Sequence, residues 1–228
     1  MTNHEAMRQF FSRVLASPFA PDKLLARQLR RPSGPLGRLF IASWLNQGNA
    51  PLVDATLRAL ELQESEHFLD VGFGGGYGLQ RASKQTSGQL YGADFSSDMV
   101  VRASRTLGHL TQAGRLTLIT ADVADLPLRD HLVHAIATTN TIYFWPDLSM
   151  ALNELRRVLV VGGRVAFGYT GREKMKRFEA VTQHGFRTFM PEDLETALGA
   201  TGFQDTHTFA LQTENLEGDF VTVAYKRA

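Results

Sequence analysis

Two hydrophobic periodicities divide the chain near residue 65. Before it, Met7, Phe10, Phe11, Val14 and Leu15 recur at the i, i+3, i+4, i+7 and i+8 spacing of an amphipathic helix. Pro18 and Pro21 end that helix, and Leu24, Leu25, Gln28 and Leu29 continue a second one. Pro32-Ser33-Gly34-Pro35 is a turn. A third helix is predicted from Leu36 to Gln47, and a fourth from Asn49 or Pro51 to Leu62. After residue 65, short apolar runs alternate with helical patterns. His67–Val71, Gln89–Ala93, Leu116–Thr120, Leu132–Thr138 and Arg164–Tyr169 read as buried strands. Tyr77–Thr86, Ser97–Leu107, Leu148–Leu159 and Pro191–Gly199 read as helices, and Phe203–Leu211 with Asp219–Lys226 as a closing hairpin. Near-continuous apolar strands separated by helices imply a parallel sheet covered on both faces. The predicted fold is α/β: a doubly wound, mostly parallel seven-stranded sheet with a C-terminal antiparallel hairpin. Residues 1–65 are expected to form a helical cap, and residues 66–228 the sheet domain.

Composition narrows the chemistry. The 228 residues include no cysteine, which excludes disulfides, thiolate metal sites and cysteine nucleophiles. A net charge of +1 is too balanced for a generic nucleic-acid binder. The charge is uneven, because residues 1–50 carry +5 and the remainder −4. No apolar run reaches the roughly 18 residues that span a bilayer, and Arg8, Gln9, Ser12 and Arg13 interrupt any signal-like centre. A soluble, cytoplasmic protein is the default expectation. The seven histidines show no metal-ligand spacing, so no metal is expected.

The richest stretch is Phe68-Leu69-Asp70-Val71-Gly72-Phe73-Gly74-Gly75-Gly76-Tyr77-Gly78, an apolar strand running into five glycines and then a helix. Glycine belongs where the backbone takes positive φ or a ligand approaches the main chain, and the helix start aims amide donors at the same crevice. A nicotinamide dinucleotide fingerprint fails here: read from Gly72 it meets Tyr77 where glycine is required, and read from Gly74 it meets Leu79.

The pattern Asp-x-Gly-x-Gly-x-Gly resembles instead the first motif of class I S-adenosylmethionine-dependent methyltransferases, and further motifs follow in order. Tyr91-Gly92-Ala93-Asp94-Phe95-Ser96-Ser97-Asp98-Met99 resembles the second, with Asp94 a plausible 24 residues beyond Asp70. Ala121-Asp122-Val123 resembles the third. Asn140-Thr141-Ile142-Tyr143-Phe144-Trp145-Pro146-Asp147 resembles the segment after the fourth strand, and Leu155–Arg164 the helix and glycine turn before the fifth. The small-molecule, ubiquinone-type branch is the most similar. Phe73 and Gly75 stand where that family often has Cys or Ser and Thr, removing a hydroxyl near the methionine end.

The resemblance implies S-adenosyl-L-methionine as cofactor and S-adenosyl-L-homocysteine as product. It assigns Asp94 to the ribose hydroxyls, Asp122 with Val123 to the adenine, and Phe95 and Met99 to packing around adenine or ribose, with plain core as the competing role of those two. Gly72, Gly74 and Gly76 would let the backbone approach the ligand. Asp70 would order the glycine loop or reach the amine through water, and Asn140 would act through its backbone carbonyl. Tyr143 is the leading candidate to contact the acceptor, with an aromatic wall beside Phe144 and Trp145 as its competing role. His184 is a second catalytic candidate. Arg172, Lys174, Lys176, Arg177 and Arg187, with the basic cap, would favour an anionic acceptor or an acidic surface; the aromatic residues would favour an aromatic or lipid-like one. A cap arginine such as Arg30 could clamp the cofactor carboxylate. A non-catalytic cofactor-binding protein is the alternative reading. A nucleic-acid methyltransferase is weaker, since Asn140-Thr141-Ile142-Tyr143 replaces Asn-Pro-Pro-Tyr. Oligomeric state is not legible.

Overall fold

Alternation along the central strands builds two cores on opposite faces of one sheet in the computed structural model, which describes residues 42–176, 187–213 and 216–228. Strand β1 (Phe68–Val71) is buried at every position. It lies parallel to β2 (Leu90–Asp94) on one side and to β4 (Val133–Thr139) on the other. Strand β3 (Leu116–Thr120) extends the first side and β5 (Leu159–Thr170) the second. The antiparallel pair β6 (Gln204–Ala210) and β7 (Asp219–Tyr225) completes a seven-stranded sheet of order β3-β2-β1-β4-β5-β7-β6. Leu69, Ile136, Val165 and Phe167 join one core with residues of α5 (Leu148–Val158) and α7 (Pro191–Ala200). Phe68, Ala135, Ala137 and Ala166 face the other, with residues of α1 (Ala42–Leu60), α2 (Tyr77–Ala82), α3 (Ser97–Thr106) and α4 (Gly108–Gln112). A short α6 (Arg172–Met175) follows β5. The predicted doubly wound sheet with its antiparallel hairpin is the observed one.

Helix α1 departs from expectation. Two helices broken near residues 47–51 were expected, whereas one helix runs from Ala42 to Leu60 with Pro51 inside it. Pro51 is exposed, so the carbonyl left unpaired one turn earlier lies on the solvent side. Leu52, Ala55, Thr56, Leu57 and Leu60 are buried. The surface beneath them is made of small residues, and at Gly168 a Cβ would sit 2.1 Å from Thr56 Oγ1. Of the stretch expected as a cap, residues 42–60 therefore lie on the sheet itself, while residues 1–41 lie outside the described residues. Strand β5 also begins five residues before its apolar run, because Leu159 already pairs with Val133 and Gly162 N–H bonds Lys226 O at 2.8 Å.

Cations close the N-terminal end of the sheet. Arg164 donates to both Glu66 carboxylate oxygens at 2.8 Å and to Leu60 O and Glu61 O. Arg157 bonds Glu154, Asp130, Leu126 O and Leu128 O. Lys226 Nζ meets Arg156 O and Leu159 O at 2.7 Å. His67 Nδ1 accepts from Gln89 N–H and His134 Nδ1 from His67 N–H.

Candidate functional site

The chain proceeds from β1 outward to β3 and then returns to β4 beside β1, so the sheet reverses direction between β1 and β4. Ligands of open α/β sheets bind outside the strand C-termini at such a switch point. The glycine turn occupies it. Gly72 N–H bonds Ala93 O at 2.7 Å, which ties the start of the turn to β2. Gly72 takes φ +71°, and a Cβ there would lie 2.3 Å from Thr141 Cγ2, in the loop after β4. Gly74 and Gly76 are also left-handed, at +54° and +86°. Phe73 points into the core and pins the turn from below.

Asp94, the last residue of β2, holds the turn from its other side. One carboxylate oxygen accepts from Gly74 N–H at 2.9 Å and the other from Ser96 N–H at 2.8 Å. Each oxygen keeps a further lone pair for a ligand donor. Burial raises its pKa above the usual carboxylate range, against the two amide bonds that lower it. Asp70 is 8% exposed, and among the described residues no hydrogen bond or ion pair reaches its carboxylate. Burial, and after it the charge of Asp94, pushes Asp70 up to about 7. A Cβ on Gly78 would lie 2.4 Å from Asp70 Oδ2, so α2 can pass over this carboxylate only as glycine. A buried carboxyl group poised near neutrality is the arrangement that favours a cationic ligand group.

The remaining expected site residues divide. Phe95 is 50% exposed beside Asp94, where an aromatic face can meet a ligand. Asp122, exposed after β3, accepts from Ala124 N–H at 2.9 Å through one oxygen and keeps the second open. The side chains of Met99 and Val123 are packed in the two cores, 2% and 9% exposed. His184 lies outside the described residues, as does Arg30.

Tyr143 is packed in the core beside Phe144 and Trp145. It is 3% exposed, and its hydroxyl donates to Asn140 Oδ1 at 2.8 Å while accepting from Thr170 N–H. Burial raises its pKa well above the ordinary phenol value. The hydroxyl therefore joins the exits of β4 and β5. Asn140 is left-handed at φ +56°, bonds Gly168 O through its own N–H at 2.8 Å, and donates from Nδ2 to Asn49 Oδ1 at 3.0 Å. Thr138 and Thr141 hydroxyls bond one another. Asn49, Thr141 and Thr170 were not singled out by sequence. Asn49 and Asn140 are 91 residues apart, so no local pattern connects them.

Among the described residues, three cations of the expected basic acceptor field are ion-paired. Arg172 pairs with Asp193, Lys174 with Asp219 and Lys176 with Glu173. Arg177 lies outside the described residues. Arg187, whose N–H bonds Tyr143 O at 3.0 Å, has no ion pair with a described residue.

Comparison with known proteins agrees with this geometry. Residues 69–167 match the family model described as a methyltransferase domain. The chain is similar to the malonyl-[acyl-carrier protein] O-methyltransferase of Geobacter sulfurreducens, with 30% identity over 64% of this chain and 58% of that protein. It is also similar to the ubiquinone/menaquinone biosynthesis C-methyltransferase of the same organism, at 24% identity over 69% of this chain and 73% of that one. The chain thus spans under two thirds of the first of these relatives. Among solved structures, it is similar in fold to the methyltransferase complexed with the Haloferax volcanii Trm112 activator. That match has a TM-score of 0.70 and 17% identity, over 82% of this chain and 94% of that one. Residues 69–167 are thus similar to a methyltransferase domain, and the fold is one that solved methyltransferase structures share.

Proposed function

We propose that this chain is a methyltransferase that binds S-adenosyl-L-methionine across the C-terminal ends of β1, β2 and β3 and transfers its methyl group to a small molecule. The observation that carries the reading is the Asp94 carboxylate, which grips the glycine turn at Gly74 while keeping acceptor capacity on both oxygens. The residues present fit the cofactor. Asp94 suits the ribose diol through charge-assisted bonds. Phe95 and the open oxygen of Asp122 suit adenine and its amine, and Asp70 suits the ammonium group. The left-handed glycines leave room for a ligand against the main chain.

When bound, the cofactor supplies an electrophilic methyl on a sulfonium, so the protein's task is to align an acceptor in line with it. This chain would do so mainly by positioning. Tyr143 has its hydroxyl engaged on both sides and holds the β4 and β5 exits together, and no general base is assigned to it. With three of the expected acceptor-side cations already in ion pairs, an apolar or weakly charged acceptor is favoured over a strongly anionic one.

The test is thermal unfolding with and without saturating S-adenosyl-L-homocysteine, with NAD and NADP as controls. At 100 times its Kd the ligand adds about 2.7 kcal/mol, an expected upshift of roughly 5–10 °C. The shift should vanish in Asp94→Ala and be absent with the dinucleotides. A folded sample that shows none would remove the cofactor assignment. Methyl turnover in an acceptor screen then separates an enzyme from a protein that only binds the cofactor.

A further inference from the structure

A continuous line of side-chain hydrogen bonds crosses the C-terminal end of the sheet. It runs from Asn49 on α1 to Asn140, then through the Tyr143 hydroxyl to the Thr170 backbone. Thr170 Oγ1 continues it to Asp219 at 2.7 Å, and Lys174 Nζ meets the second Asp219 oxygen at 2.8 Å. Its middle member is unusual for its position. A left-handed backbone is adopted most easily by glycine, but glycine could make neither bond. Asparagine tolerates that backbone and spends both ends of its amide, one on α1 and one on Tyr143.

The residue after Asn140 touches the glycine turn. Thr141 fills the space where Gly72 has no Cβ, and its hydroxyl is tied back to Thr138. Close-packed groups pass on small displacements. A shift of the Asn140–Thr141 backbone is therefore felt at Gly72, which is itself bonded to Ala93 beside Asp94.

We infer that Asn49, Tyr143 and Thr170 form a positioning relay that fixes Asn140–Thr141 against the glycine turn, so that cofactor affinity depends on Asn49 of α1 through its bond to Asn140. The inference rests on the cofactor reading above. It makes Tyr143 a positioning residue.

Calorimetric titration with S-adenosyl-L-homocysteine tests it in the unaltered chain and four variants. Asn49→Ala keeps a helix-forming residue but removes the acceptor, and should raise Kd about 3- to 10-fold. Asn49→Asp still accepts from Asn140 Nδ2 and should stay within about twofold. Asn140→Gly suits the backbone angle yet cuts the relay on both sides, and should weaken binding at least as much as Asn49→Ala. Arg164→Lys, at the far end of the sheet, should lower Tm without moving Kd. Equal affinity in Asn49→Ala, Asn140→Gly and the unaltered chain would overturn the relay. So would a loss of affinity in Arg164→Lys that tracks its loss of Tm, since binding would then follow stability alone. An unaltered chain that does not bind overturns the cofactor reading and this inference together.

Discussion

An aspartate that ionises near neutrality acts on the ligand-free chain and on its complex in opposite directions. Asp70 titrates at about 7 in the folded chain against 3.8 for a free aspartate. Between those values the folded chain holds the extra proton, so this group's contribution to stability is fullest below pH 4 and falls as pH rises through 7. The loss by pH 8 is on the order of 4 kcal/mol. Asp70→Asn keeps the shape and never ionises. It should melt several degrees higher than the unaltered chain at pH 8 and level with it near pH 4, while binding S-adenosyl-L-homocysteine more weakly. Unfolding curves at the two pH values, with a titration at pH 8, check both; equal melting at pH 8 would show that the carboxylate is not destabilising. At this scale the sequence was legible where chemistry is local. Asp70 and the glycines sit in one strand–turn–helix pattern, and Asp94 ends the next strand. For Met99 and Tyr143 the sequence left two roles open, because spacing along the chain does not tell a core face from a ligand face. Tyr143 is settled by Thr170, 27 residues away, and by Asn140 being left-handed.

Among the elements, the strands were legible because burial on both faces makes them continuous apolar runs. The extra length of β5 was not, since its first residues are held by backbone bonds to Lys226 and Val133 and not by hydrophobicity. The unbroken α1 was hidden by Pro51, whose helix-breaking signal is overridden when tertiary packing holds the rest of the helix. That packing is tight enough to test. Gly168→Ala places a methyl group against Thr56 Oγ1 and should cost about 1–3 kcal/mol, a Tm loss of roughly 3–10 °C. Thr56→Ala in the same chain removes the clashing atom and should recover most of that loss. Thermal unfolding of the two single variants and the double variant gives the answer; a double variant no better than Gly168→Ala would place the strain elsewhere.

Across the whole molecule the two ends of the sheet have divided roles. At the N-terminal end Arg164, Arg157 and Lys226 are saturated by carboxylates and carbonyl oxygens. At the C-terminal end Asp70 and Asp94 are carboxylates held above their usual pKa. Damage at one end should therefore be separable from damage at the other. Arg164 and Glu66 are only 10% and 17% exposed, and removing one partner leaves the other uncompensated. Arg164→Leu should lose about 3–5 kcal/mol of stability, and where the protein stays folded its affinity for S-adenosyl-L-homocysteine should be unchanged. Denaturant titration beside calorimetry reads both quantities. None of the described helices is long and apolar enough to cross a membrane.

The meeting of Gly168 with Thr56 also constrains how this chain can change over generations. A side chain at position 168 is harmful while a hydroxyl stands at 56 and tolerable once it has gone. The two positions are therefore epistatic, and the order of substitution matters. Position 56 has to yield first, and a lineage that crosses in the other order passes through a less stable ancestor. Descendants should show the two positions varying together, although they lie 112 residues apart and on different elements.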